Sequence, residues 1–166
     1  MVPDNIILGD GVFYINTTAI ALTRGGGQWI IEREYHPITA DGDRGLVKGR
    51  IRKINSVAKL TLNALELLPA NLPKMYPATQ INSAYGVTSL TAKDDIEDAD
   101  YQDEVSFVGV TAKGKEVKIM LDNAINLENI VWPLVDKDEI VPEVIYTATY
   151  LESSRTTEPW QVDLEE

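Results

Sequence analysis

One histidine and no cysteine limit the side-chain chemistry open to this sequence. Without cysteine there is no disulfide, no Cys-ligated zinc, no iron–sulfur cluster and no thiol nucleophile. His36 alone cannot build a two- or three-histidine metal site. A Ser-His-acid triad would have to use it, yet it precedes Pro37 near the end of an expected strand, and no Gly-x-Ser-x-Gly elbow exists. His36 therefore reads as a surface or interface residue. A phosphate-binding loop needs Gly, four residues, then Gly-Lys-Ser/Thr, and the Gly42–Gly49 region lacks that spacing. A dinucleotide fingerprint beginning Gly9-Asp10-Gly11 would need glycine at position 14, where Tyr14 stands.

Carboxylates are the one abundant reactive type. Asp41/Asp43 and Asp136/Asp138/Glu139 are close in sequence, but in so acidic a chain adjacency by chance is expected. A glycosidase pair also needs an aromatic-lined cleft. Trp29, Trp132 and Trp160 are scattered and read better as core or interface packing. The run Asp94, Asp95, Glu97, Asp98, Asp100, Asp103 and Glu104 does not fit a calcium loop. Counted from Asp94, position three is Ile96; counted from Asp98, position six is Asp103 and position twelve is Gly109. It reads as a solvated, self-repelling loop, or as an acidic surface offered to a partner. No motif speaks for an enzyme; no catalytic residue, cofactor or metal is expected.

The 166 residues suit one domain with its own core. There are 15 Lys+Arg against 26 Asp+Glu, a net charge of −11. A nucleic-acid binder working through a basic face is therefore not expected. The acidity is lopsided: residues 1–83 carry 9 basic and 7 acidic side chains, and residues 84–166 carry 6 and 19. The amino terminus lacks the basic and apolar regions of a secretory signal, and no apolar run approaches a membrane span. The expectation is a soluble protein folded in the cytoplasm.

The elements that must position any site are strand-like. Val12 to Leu22 reads as a strand that Gly25-Gly26-Gly27 then breaks, with Gln28 to Ile38 as the next. Thr39 to Gly49 reads as a long exposed loop, a type often functional. Ile51 to Leu65 fits both a period of 2 and a period of 3.6; a long strand is favoured, leading into a short helix near 66–76 that Pro69, Pro73 and Pro77 keep brief. Val105–Thr111 and Glu116–Leu121 flank a glycine-containing turn and read as a β-hairpin. Val144 to Leu151 makes a further strand, with Tyr146 and Tyr150 on one face. The expected fold class is mainly β: a β-sandwich or partly closed barrel with one short α-helix.

The order of segments carries a resemblance. Gly9 to Asn16 is followed by Ile20 to Gly27, by the charged strand Glu32-Arg33-Glu34, by the loop Asp41 to Gly49, and by Ala58 to Glu66. The carboxyl end adds Pro142 to Tyr150 and Glu158-Pro159-Trp160. Together these resemble the major tail tube proteins of long-tailed, non-contractile bacteriophages. The resemblance is diffuse but spans nearly the whole chain. It implies a virion protein whose subunits form six-membered rings, join strands into one β-barrel around a lumen, and stack into a tube that conducts DNA. It implies that residues 39–49 reach the neighbouring ring, matched at Gly42, Arg44, Gly45, Lys48 and Gly49. It implies that the terminal segment 152–166 makes further subunit contacts, with Trp160 the candidate. The implied partners are further copies of the chain and the tape-measure, tail terminator and distal tail proteins; DNA would be a non-specific passenger, and no membrane is involved. A negative wall would let DNA slide without sticking. The alternatives are a monomeric β-sandwich binding module, a tube protein of a contractile or secretion apparatus, and an enzyme of another type.

Overall fold

The computed structural model describes residues 6–20 and 22–166. The reading of the amino terminus over positions 1–5, and the part of the first expected strand at position 21, lie outside them. The fold is mainly β, as expected, and the described residues form ten strands: β1 (Ile7–Ile15), β2 (Thr18–Ala19), β3 (Thr23–Pro37), β4 (Ile51–Ala64), β5 (Thr79–Ala84), β6 (Val87–Ala92), β7 (Gln102–Thr111), β8 (Glu116–Asn126), β9 (Glu143–Ala148) and β10 (Trp160–Leu164). The one α-helix among the described residues, α1 (Leu72–Met75), is a single turn. The large sheet runs β2-β1-β7-β8-β9-β4-β3, and β10 pairs with the β8 segment that β9 leaves uncovered. Every described pairing in it is antiparallel. The sheet folds over on itself in a sandwich-like way without closing into a barrel.

One core cluster lies between its halves. Phe13 and Ile15 of β1, Leu60 and Leu62 of β4, Val105 of β7, Leu121 of β8 and Val144 and Tyr146 of β9 are all buried in it. Their alternation along each strand is the period-2 pattern of a half-buried sheet. Helix α1 and Tyr76 close one side. Tyr146 OH donates to the Lys74 carbonyl at 3.0 Å, and Asn126 Nδ2 donates to the Met75 carbonyl at 2.8 Å. The long strand over 51–65, the short helix and the hairpin around 112–115 all form as expected.

Three expectations need correction. The strand over 12–22 is a hairpin, because Asn16 adopts φ 54° and turns the chain in two residues, pairing Ile15 with Thr18. Asparagine tolerates that left-handed conformation. The three glycines do not end a strand. Gly25 (φ 87°) and Gly26 (φ 72°) form an irregularity inside β3, and the ladder resumes at Gly27. A Cβ on Gly27 would fall 2.7 Å from Phe13 Cζ, so glycine lets the two halves of the sandwich approach. The acidic stretch 94–104 is not a solvated loop throughout. Asp98–Asp100 is a 3₁₀ turn, Asp100 is buried, and Gln102 onward belongs to β7.

Candidate functional site

The most unusual part of the molecule is the β3–β4 arm. Its ladder is continuous from Gly27↔Leu62 out to Pro37↔Ile51, apart from one register shift at Glu34/Tyr35. The inner part packs on the core; the outer part, residues 32–37 with 51–55, is exposed on both faces. Tyr35, Ile51 and Ile54 lie there in solvent. The outer edge of β3 pairs with nothing among the described residues, and β1 has a second partner only at Tyr14 and Ile15.

The arm ends in the loop over 38–50. Ile38 N–H donates to the Arg50 carbonyl at 2.7 Å, closing it. Asp43 organises it: its Oδ2 accepts from Ala40 N–H at 2.8 Å and from Arg50 Nη1 at 3.0 Å. Gly42, Arg44, Gly45, Lys48 and Gly49 are brought together here, all exposed, with Leu46 72% exposed beside them. His36 is also exposed on the arm, opposite Arg52. Trp160 is not part of this group. It sits at the start of β10, half-buried, with its ring 5.6 Å from that of Trp29 in an edge-to-face contact.

Glu158 fastens the base of the arm to that carboxyl-terminal segment. Its Oε1 pairs with Lys53 Nζ. Its Oε2 accepts from Ser56 Oγ at 2.9 Å and from Trp160 Nε1 at 3.1 Å. The Tyr150 hydroxyl lies 3.0 Å from both that oxygen and the Ser56 carbonyl. The Lys53 ammonium, with these donors, outweighs burial and holds the Glu158 carboxyl down at about 2. Burial and the adjacent carboxylate push the Tyr150 phenol up. This latch joins three segments: β4, the chain after β9 at Tyr150, and the start of the carboxyl-terminal segment. Sequence reading missed it, because Glu158 is one of 26 acidic residues and no local pattern marks it.

At the acidic pole, burial of Asp100 opposes its charge. The backbone N–H groups of Glu97 (2.9 Å) and Ala78 (3.2 Å) and the Lys93 ammonium outweigh it, so its carboxyl stays below the usual range. Asp138 and Glu139 are held by Arg24. Trp132 Nε1 donates to Tyr76 OH at 3.0 Å, away from the Trp29–Trp160 pair, so the three tryptophans share no cleft. Among the described residues no group of three or more His, Cys, Asp or Glu is placed to hold a metal, and no helix is long and apolar enough to cross a membrane. No protein-family model matches the sequence, and no curated protein matches it significantly.

Proposed function

We propose that this chain is a structural subunit that self-assembles through its β3–β4 arm and free sheet edges. Its copies form stacked rings that make a tail-tube-like conduit in the virion of a long-tailed, non-contractile bacteriophage. The observation that carries the reading is the outer arm: a two-stranded ribbon with apolar side chains on exposed faces and an unpaired edge. A two-stranded ribbon is marginal by itself, and an unpaired edge recruits other strands. Pairing the β3 edge of one copy with a free edge of the next satisfies both, and repetition around a ring merges the arms into one wall. The loop over 38–50, held out at the tip, is then free to reach an adjacent ring. The segment order resembling tail tube proteins supports the same reading.

Negative-stain electron microscopy of the purified protein, dilute and then concentrated, tests it. Hollow tubes of regular axial repeat are expected, and shortening the loop over 41–48 should leave folded protein that no longer stacks. Tubes unchanged by that deletion would remove the loop from the contact, and concentrated protein without rings or tubes would count against the assembly reading.

A further inference from the structure

Between β8 and β9 the chain carries a strand's residues without a sheet. Leu127, Ile130, Val131, Trp132, Leu134 and Val135 are all exposed, Leu134 by 81%. Residues 129–135 form no helix, strand or turn, and none has positive φ. Over residues 129–134 no backbone N–H or carbonyl has a hydrogen-bond partner among the described residues. Ile, Val and Trp are the types that suit a pleated, half-buried surface. An apolar run with an unpaired backbone is what a sheet edge recruits.

The outer edge of β3 is the converse, a sheet that stops one strand short. Trp29 and Ile31 pack toward the core yet stay half-buried, although their β4 partners Leu60 and Ala58 are fully buried. Tyr35, further along, is exposed. The edge itself is regular there, because the extra residue at the Glu34/Tyr35 shift, Ile54, lies on β4. The edge of β1 is less suitable: its ladder is irregular between Ile7 and Gly11, and β2 covers Tyr14 and Ile15. In its own copy the apolar run is held elsewhere. Trp132 Nε1 is bound to Tyr76 OH, and Asp138 and Glu139 are tied to Arg24 at the start of β3. One chain thus offers an edge and a run that fits it, and joins neither to the other.

We propose that residues 130–135 of one copy add as a strand to the outer edge of β3 in the next, along residues 30–35. In strand addition, main-chain hydrogen bonds give affinity and alternate side chains give specificity. The contact is heterologous and repeats from copy to copy. It rests on the assembly reading and deepens it by naming the strand that the β3 edge receives. Pro133 fixes which side of the run is used. It has no N–H to donate, so it faces away from β3. Successive residues of a strand turn their backbone groups to opposite sides. Residues 130, 132 and 134 therefore bond to β3, and residues 131, 133 and 135 face outward. The proline on that far side also discourages a further strand from adding.

The test compares Ile130→Pro with Val131→Pro. Both remove a β-branched side chain, and neither N–H is used within one copy, so the two should melt alike. Only Ile130→Pro removes an N–H that the contact needs. In sedimentation velocity from micromolar to millimolar concentration it should need at least about tenfold more protein than Val131→Pro to associate. Equal association of the two overturns the contact. Its place is read by cross-linking, which the absence of native cysteine makes clean. Mixed with Glu32→Cys or Arg33→Cys, which lie on opposite faces of β3, Val131→Cys should join one of them through a short bis-maleimide. Joining to Gly9→Cys on β1 instead, or to none of the three, overturns the contact. Tubes from wild type and from both proline variants alike would leave the tube reading standing and remove this contact. The proline difference and the β3 cross-link without tubes from wild type would support the contact and count against the tube. Wild type that stays monomeric throughout overturns the contact as well.

Discussion

Strand β4 passes through two environments that its residue types barely distinguish. In its carboxyl half, Ala58, Leu60, Leu62 and Ala64 alternate into the core, flanked by β3 on one side and β9 on the other. In its amino half, Ile51 and Ile54 are 46% and 57% exposed, and only β3 pairs with it. The hydrogen-bonded ladder with β3 runs through both halves, so backbone pairing is not what separates them; burial is. Apolar side chains in the inner half hold the monomer together, whereas those in the outer half contribute little to one copy and are left for another.

The largest effect should therefore fall on the inner half. Leu62→Ala should cost about 2–5 kcal/mol of stability, because its neighbours cannot fill the space it leaves. Ile54→Ala should change stability by no more than about 0.5 kcal/mol, while raising the protein concentration needed for assembly. Urea denaturation reads the first quantity and sedimentation the second. Equal losses of stability at both positions would erase the distinction.

Glu158 is where the two regions meet, and its removal should rank next. Glu158→Ala leaves Ser56, Tyr150, Lys53 and Trp160 without their common acceptor, at a cost of roughly 1–3 kcal/mol. The pH dependence follows from the sign of its shift. The folded carboxyl titrates at about 2 against an ordinary value of 4.5. Over that window the unfolded chain binds more protons than the folded one, so stability is fully present above pH 4.5 and drains away as the pH falls toward 2. Thermal melts of wild type should decline across that window more steeply than those of Glu158→Gln. Parallel declines would mean that the latch does not hold the arm.

The acidic stretch offers a smaller contrast of the same kind. Asp100→Asn should cost about 1–2 kcal/mol, since a buried carboxylate there gathers two backbone N–H groups and the Lys93 ammonium. Asp98→Asn, two residues away and exposed, should stay within about 0.5 kcal/mol in the same denaturation experiment. The run's composition does not mark Asp100 as different: Glu97 and Lys93 are local partners, but the Ala78 N–H that meets its buried carboxylate comes from outside the run. Legibility follows that rule throughout. The hairpin over 105–121 was readable from alternation and a glycine turn, both local, and the structure extends its strands to Gln102 and Asn126. The loop of Gly42 to Gly49 was readable as exposed from its composition. The β5–β6 hairpin was missed because Thr, Gln, Asn and Ser along β5 and Thr and Ser along β6 hide the alternation, although Tyr85-Gly86 between two such runs was the available signal. Strand β10 and the Trp29–Trp160 contact were unreadable because neither is local: β10 pairs with β8, from Trp160↔Leu121 to Leu164↔Val117, and the two tryptophan rings meet across the length of the chain.

The smallest expected effect bears on whether the arm supports itself. Lys59 Nζ and Glu32 lie 3.2 Å apart where the ribbon leaves the body, and the Glu32 side chain is 54% exposed. Partly exposed pairs of this kind contribute about 0.2–1 kcal/mol or less, because water and salt screen them and two long side chains must be ordered. A double-mutant cycle with Lys59→Gln and Glu32→Gln should return a coupling at the low end of that range, shrinking further at high salt. A salt-insensitive coupling well above 1 kcal/mol would mean that the ribbon is stiffened by its own side chains before any partner arrives. The exposed Tyr35, Ile51 and Ile54 would then need no second copy to account for an ordered arm, and the distinction between the halves of β4 would lose its functional meaning.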